Sequence, residues 1–531
     1  MSRTPQQFTI EEENGPMSLI RGTVKLAWCM TFFFHGCIMV GPDYQKPEAP
    51  VAADWIGPDN ARVKREPATQ TEWWKIFNDA VLDRLVDKAY QQNLTLQSAG
   101  LRILEARAQL GVAIGRFYPQ SQEVGGSYTN IERSRNGLFP VTGNRNVDFY
   151  QFGFDVAWEL DAWGKFRRSI EASDQRVHAT IAAYDDFLIS LVAEVARTYV
   201  SYRYLEERLK LAQENARIQE RTLQIADVRY RAGVVTELDV TQARSLLRAT
   251  QALIPAFEAS ITQATNALSV LLGELPGQLQ AELAGPTTIP TAPPEVAVGL
   301  PAELMRQRPD IRQAEFQLAA QSALIGVATA DLYPRFILAG FIGTQSTEFS
   351  TWFNHRSGTW LAGPSFSWDI LNYGRIRNRV RAEDARFQEL VANYRNTVLR
   401  AAEEVEDSIA SYLRGQEQVS FLAQSVAAAR RSTDLSLIQY RDGAVDFIRV
   451  LDSERFLVQQ QDNLAAAQGN VVLNLVSLYK ALGGGWQIRD GKPFVPPDIQ
   501  KEMITRTNWD GILPEQPAQP PEDRKWWWPL W

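Results

Sequence analysis

Residues 181–230 read IAAYDDFLIS LVAEVARTYV SYRYLEERLK LAQENARIQE RTLQIADVRY. In this stretch Ile181, Leu188, Val195, Tyr202, Leu209, Ala216, Leu223 and Tyr230 stand seven residues apart without a break. A heptad sustained this long, with neither Gly nor Pro inside it, is the pattern of coiled-coil packing. At 1.5 Å per residue a helix over 165–230 would be roughly 100 Å long. Globular helices average about 11–12 residues, so this one is built to pack lengthwise against others.

The same pattern returns as Val391, Val398, Val405, Tyr412, Val419, Val426, Thr433 and Tyr440. Other segments recur with it. Tyr230-Arg231-Ala232-Gly233-Val234-Val235 becomes Tyr440-Arg441-Asp442-Gly443-Ala444-Val445, Trp158 to Lys165 becomes Trp368 to Arg375, and Leu272-Gly273 becomes Leu482-Gly483. The offset is 210 residues in all three (440 − 230, 368 − 158, 482 − 272). Upstream, Gly111 to Pro119 matches Gly326 to Pro334 at an offset of 215. A unit this long exceeds any solenoid repeat and marks a duplicated domain-sized element. We divide the chain into 1–36 (leader), 37–79 (N-terminal segment), 80–299 (first copy), 300–485 (second copy) and 486–531 (tail).

Within each copy the hydrophobic period changes. Leu82, Leu85, Val86, Ala89 and Tyr90 have helical spacing, and we expect one helix from 80 to about 117, with its counterpart over 309–332. From Tyr150 the period becomes two. Tyr150, Phe152, Phe154, Val156, Trp158 and Leu160 alternate with Gln151, Gly153, Asp155, Ala157, Glu159 and Asp161, giving one apolar and one polar face. The second copy repeats this with Trp360, Ala362, Phe366, Trp368 and Ile370 against Thr359, Gly363, Ser365, Ser367 and Asp369. Shorter partner strands are expected around 121–131 and 335–345. After the long helices, Gly233 and Gly443 act as stops, and return helices follow over 237–272 and 447–482. The fold class is therefore mixed α and β, a long coiled-coil α-barrel joined to a β element, with an internal two-fold repeat.

Four such strands form an open sheet. In lipid its unpaired edges would cost several kcal/mol per unsatisfied group, so only a closed barrel is viable. Two chains would supply eight strands, a barrel filled by side chains, whereas three supply twelve and leave room for water. Gln151, Asp155, Glu159, Ser365, Ser367 and Asp369 are then expected to line an aqueous lumen.

The 531 residues carry 55 basic and 62 acidic side chains, a net charge of −7, and no basic face that nucleic acid would require. With 2 Cys and 3 His there is little material for a metal site. No G-x-S-x-G elbow or P-loop occurs, and Gly483-Gly484-Gly485 lacks the following Lys-Ser/Thr. His178 and His355 have no partner cluster and read as solvated surface. We expect no enzyme. The leader has Arg21 and Lys25, the apolar run Leu26–Phe34, then Gly36-Cys37, a secretion signal ending in a lipid-acceptor cysteine. Glu11, Glu12 and Glu13 suit such a leader poorly, which leaves two readings, Met17 as the true start or residues 1–16 as a tolerated extension.

Several motifs together give the chain a resemblance to outer-membrane efflux ducts of the TolC-like family, in its lipoprotein branch (OprM- and NodT-like). They are Cys37 with Val40-Gly41-Pro42-Asp43-Tyr44-Gln45-Lys46-Pro47; Trp73-Trp74, Phe77, Asp79 and Asn93; Arg308-Pro309-Asp310-Ile311-Arg312; the two Tyr-Arg-x-Gly turns; and Leu478 to Trp486. The resemblance implies a homotrimer, a twelve-stranded transmembrane β-barrel in outer-membrane lipid, and an α-barrel projecting into the periplasm. It implies a periplasmic adaptor fed by an inner-membrane pump, no cofactor beyond a covalent lipid on Cys37, and export of small molecules. By the same resemblance Arg231, Gly233, Val234, Arg441, Gly443 and Ala444 are docking candidates at the helix–turn–helix tips. Val426, Arg430, Asp434, Asp442 and Asp446 are candidates for a gate, because charges tripled by symmetry can form filters and latches. Two other readings remain open at this stage: a non-conducting coiled-coil surface lipoprotein, and a duct for protein secretion. The Pro-rich tail ending in Trp526-Trp527-Trp528-Pro529-Leu530-Trp531 is expected to be mobile.

Metabolic labelling with palmitate tests the acceptor. Cys37→Ser should abolish incorporation and Cys29→Ser should leave it intact, and labelling that survives Cys37→Ser would contradict the assignment.

Overall fold

Long helices stop where the backbone turns into the left-handed region, and here the stops are glycines. Gly233 has φ 72° and Gly443 φ 76°. Past them Val234 N donates to Arg229 O at 3.0 Å and Ala444 N to Gln439 O at 2.8 Å. These are the reaching-back bonds of Schellman helix ends, which satisfy otherwise orphaned carbonyls. Gly273 and Gly483 end the return helices in the same way, with Glu274 N donating to Ser269 O and Gly484 N to Tyr479 O.

The computed structural model describes residues 38–52, 54–56, 62–64, 71–134, 145–284, 288–299, 301, 307–509 and 511–513. In chain order the principal elements are α1 (Ala80–Gln92), α2 (Leu94–Gly115), β1 (Ser121–Glu132), β2 (Asn146–Leu160), α3 (Lys165–Arg231), α4 (Glu237–Leu271), α5 (Pro309–Ala330), β3 (Arg335–Ser346), β4 (Gly358–Ser367), α6 (Arg375–Arg441), α7 (Phe447–Ala481) and α8 (Pro497–Arg506). The duplication is visible as matched lengths, 67 residues in both α3 and α6 and 35 in both α4 and α7.

The first expected helix is in fact two. Asn93 leaves helical geometry, its Oδ1 accepts from Leu96 N at 2.8 Å to cap α2, and its Nδ2 donates to Leu271 O at 2.9 Å. One side chain thus starts a new helix and ties it to the end of α4.

The chain divides into two units. One holds the described residues up to Asp43, Val112–Ala172 and Ser322–Asp384. Its sheet is antiparallel throughout, in the order β1-β2-β3-β4, so β1 and β4 are edges unpaired among the described residues. The second-copy strand ends at Ser367, short of the expected Ile370, because the chain turns there: Ile370 N donates to Trp368 O at 2.9 Å. Its partner β3, at 12 residues against 10, is the longer of the two, reversing the expected order. The Val40-Gly41 motif packs in this unit. Val40 N donates to Trp163 O at 3.1 Å, and a Cβ on Gly41 would fall 2.4 Å from Gly326 Cα. Asp43 pairs with Arg168 at 2.6 Å. Cys37 lies outside the described residues.

The second unit comprises Tyr44–Gly111, Ser173–Gln321 and Ala385–Trp531. Its main core gathers Trp73, Trp74, Leu82, Leu188, Tyr199, Tyr412, Leu475 and Tyr479. Trp73 stacks on Tyr479 with ring centroids 5.4 Å apart. Arg308 donates to Ala481 O at 2.7 Å and pairs with Asp310 and Glu404, both at 2.8 Å. The motifs at 73–74, 308–310 and 478–485 therefore meet in one place, and their work is structural.

The reading of 486–531 as a mobile tail needs correction over its first part. Trp486–Arg489 forms a 3₁₀ turn and α8 follows. Val495 and Met503 are buried with Leu104 of α2. Arg489 clamps the fully buried Asp185 through Nε and Nη2, the latter bond at 3.0 Å. A buried charge is tolerated only when paired in this way, so the segment is part of the fold. Residues 514–531 lie outside the described residues.

Asp186, beside Asp185, gives a pH prediction. Burial, followed by the neighbouring Asp310, pushes its carboxyl from 3.8 up to about 6. Because the folded value is the higher, the penalty is absent below about pH 4 and fully present above about pH 6. Asp186→Asn should therefore raise Tm at pH 7.5 and leave it nearly unchanged at pH 4. An equal shift at both pH values would contradict this.

Candidate functional site

The tip of the second unit is built by the turns α3–α4 and α6–α7. A small core of Ala226, Val240, Leu246, Tyr440, Phe447, Val450 and Leu451 holds it together. Tyr440 is 1% exposed although it sits at the very end of its helix. Its hydroxyl donates to Asp239 Oδ2 at 3.2 Å, at the start of α4. Arg229 of α3 lies over the ring at 4.7 Å, and its Nη1 donates to the carbonyls of Tyr440 and, at 3.0 Å, Arg441. Tyr440 belongs to the second copy, Arg229 and Asp239 to the first, so the contact clasps the two turns to each other. Burial, then the charge of Asp239, pushes the Tyr440 hydroxyl up to about 12. It remains a proton donor across the physiological range.

A polar seam leads along the helices to this clasp. Arg208, Asn215, Thr222 and Arg229 are spaced by sevens on α3. The first three meet α7: Arg208 pairs with Asp462 at 2.6 Å, Asn215 donates to Gln461 at 2.8 Å and Thr222 to Glu454 at 2.6 Å. Glu454 is 3% exposed, and burial raises its carboxyl pKa. Polar residues at one heptad position fix register at some cost in stability.

The clasp occurs at only one of the two related positions. At the offset of 210, Tyr440 corresponds to Tyr230, Arg229 to Gln439 and Asp239 to Arg449. Tyr230 is 42% exposed. Sequence reasoning quoted both tyrosines as repeat markers and missed the clasp. The differing neighbours of the two were the available signal.

Of the predicted tip residues, Arg231, Gly233, Val234, Arg441, Gly443 and Ala444 are all exposed. Arg231 pairs with Asp227 at 2.8 Å. A Cβ on Gly233 would meet nothing within 4 Å, so its glycine is required by φ and not by packing within the chain. Of the gate candidates, Val426 is half-buried, whereas Arg430, Asp434, Asp442 and Asp446 are exposed, and no ion pair joins these four among the described residues. The buried polar contacts of this stretch are made instead by Thr433 and Ser436 with Ser453, at 3.1 and 2.7 Å.

In the sheet, opposed residues share a face. Glu123 opposes Asp155, Gln151 opposes Gln345, Ile337 opposes both Glu159 and Ser365, and Arg335 opposes Ser367. The predicted polar residues on β2 and β4 thus lie on one face. Asp369 does not belong to that set: it lies past the end of β4 and pairs with Arg375 at 3.3 Å. The face is also less polar than expected, since Ile337, Phe341 and Leu361 belong to it. The Phe341 ring lies across Gly153 and Gly343, where an added Cβ would come within 2.5 and 2.8 Å of it. The other face carries Val124, Phe152, Phe154, Leu338, Ile342, Trp360 and Phe366, all exposed in the single chain. Among the described residues no helix is long and apolar enough to cross a membrane, and no cluster suits a metal ion.

The sequence model of the family described as Outer membrane efflux protein matches residues 85–274 and 300–484. The chain is 32% identical over 463 residues to "Probable outer membrane lipoprotein SilC" of Salmonella typhimurium, covering 86% of this chain and 97% of that one. It is 33% identical to the solvent efflux pump outer membrane protein SrpC of Pseudomonas putida, covering 85% and 96%. Among solved structures, the outer-membrane channel OprN superposes with a TM-score of 0.80 at 34% identity, covering 85% of this chain and all of that one. CusC superposes with a TM-score of 0.72 at 30% identity, covering 84% of this chain and all of that one.

Tyr440→Phe removes a hydrogen bond to a carboxylate while keeping the ring. Amide exchange at Gly443 and Ala444 should accelerate about tenfold, the equivalent of ~1.4 kcal/mol. Unchanged exchange would show that the clasp does not hold the tip.

Proposed function

The chain belongs to the outer membrane efflux protein family, and from that premise we propose that three copies close into a gated duct, the passive outer-membrane channel of a tripartite efflux system. One observation carries the reading: a four-stranded antiparallel sheet with an exposed apolar face and two edges, β1 and β4, that none of the described residues pairs. In hydrocarbon those edges require partners, and a second and third copy supply them by joining β4 of one to β1 of the next. The face of Glu123, Gln151, Asp155 and Glu159 then turns inward to water.

The Tyr440–Asp239–Arg229 clasp is the latch of this duct in the resting state. A periplasmic adaptor docks on the exposed tips at Arg231, Gly233, Val234, Arg441, Gly443 and Ala444, where small residues let a partner backbone come close. Opening follows when the adaptor competes for the clasp. The energy comes from an inner-membrane pump. Relatives named for cation efflux and for solvent efflux are about equally similar, so cargo selection belongs to the pump and the cargo class is small molecules. A duplicated β segment argues against the surface-stalk reading, because a stalk has no use for a second set of strands.

Single-channel recording in planar bilayers tests the reading. The purified protein should run as a trimer in mild detergent and open rarely, with Asp239→Ala raising open probability about tenfold, as the loss of ~1.4 kcal/mol would. A trimer that never conducts, even as Asp239→Ala, would favour the stalk. A water-soluble monomer would overturn the barrel itself.

A further inference from the structure

The β3–β4 connection folds onto the face of the sheet that carries Phe152 and Phe154. Phe349 and Trp352 pack on Tyr150 with ring centroids 5.6 and 5.3 Å away, and Phe353 packs on Phe152 at 6.1 Å. Tyr150 and Phe152 oppose Tyr128 and Gly126 on one side and Ser346 and Thr344 on the other, which puts all of them on the apolar face, away from Gln151 and Asp155. The loop is therefore directed outward and is not a lid over the polar face.

Its own bonds hold it in this shape. Ser346 Oγ and Thr351 Oγ1 are 2.6 Å apart, Ser357 Oγ donates to Thr351 O at 2.7 Å, and Asn354 Oδ1 accepts from Arg356 N at 3.3 Å. Yet Phe349 and Phe353 remain 69% and 68% exposed. Directly after them come His355 and Arg356, also exposed, with no ion pair to either among the described residues. Glu348 is the one carboxylate of the loop. Next to the loop the apolar face turns polar, with Tyr128 and Asn130 both donating to Asp148 at 2.9 and 2.7 Å. Apolar rings followed by an imidazole and a guanidinium at the border of an apolar face match the boundary between acyl chains and charged headgroups.

Resting on the outer-membrane reading above, we propose that residues 347–357 form a lipid belt. Phe349, Trp352 and Phe353 sit against acyl chains of the exposed leaflet, and His355 and Arg356 bind the phosphates of an anionic lipid of the lipopolysaccharide class.

Spin labels on the full chain test it, at Phe353→Cys in the loop, at Phe349→Cys as a second loop position, and at Leu338→Cys on the apolar face of β3. In bilayers containing lipopolysaccharide, the loop labels should be more accessible to oxygen than to a polar nickel chelate, as should the label at 338. His355→Ala with Arg356→Ala should lower the lipopolysaccharide retained on purification, by about fivefold for the guanidinium charge lost. A lipid-exposed label at 338 with water-exposed labels at 349 and 353 would overturn the belt and spare the barrel. Water exposure at all three would overturn the outer-membrane reading on which the belt rests. Unchanged retention in the double variant would overturn the phosphate contact, and equal retention of phosphatidylglycerol by the unmodified protein would overturn the lipopolysaccharide class in favour of anionic headgroups in general.

Discussion

A strand edge cannot rest unpaired in hydrocarbon, and the organisation of this protein follows from that. Each backbone N–H and C=O left without a partner in lipid costs several kcal/mol, far more than any one side chain recovers. The antiparallel sheet has four strands among the described residues, β1-β2-β3-β4, too few to close a barrel alone. Edges of that kind call for strands from outside the sheet. The long helices α3 and α6 answer a separate demand, since their apolar residues follow a heptad and not the wider stripe of a globular helix.

Duplication supplied two strands, one long helix and one return helix twice over, and then the copies diverged where they meet. The Schellman stops at Gly233 and Gly443 are near-identical, with φ within a few degrees of each other. The residues beside them are not. Arg229, Asp239 and Tyr440 join one copy to the other inside the chain, while the related positions hold Gln439, Arg449 and an exposed Tyr230. Equal contacts at both positions would make every seam of a ring equally strong. Unequal contacts let some seams hold while others yield, a property that a gated tube needs and a static stalk does not.

Much of this was legible in the sequence. The heptads of 181–230, the period-two segment from Tyr150 and the glycine stops depend on spacing alone, and spacing survives without knowledge of neighbours. What was not legible depended on contacts distant in sequence. Asn93 breaks the first helix because Leu271 O, nearly two hundred residues away, accepts from its side chain. The segment after Trp486 looked mobile because its composition is that of a tail, yet Asp185 holds it through Arg489. Asp369 continued the alternation on paper but fell beyond the last paired residue of its strand. The gate candidates were drawn from exposed charge, whereas the contact that joins the two turns centres on a buried tyrosine. Its burial could not be inferred from an identical residue at 230 that is exposed.

The most direct test of the central claim is disulfide cross-linking between copies in native membranes. One cysteine is fixed on the outward edge of β4 at Ala362, and a second is scanned along β1 from Gln122 to Asn130. Closure through these edges predicts dimers and trimers on denaturing gels, strongest at every second β1 position, since only one face of β1 lies beside the fixed residue. A ladder without that alternation, or no species above the monomer, would contradict closure through these edges.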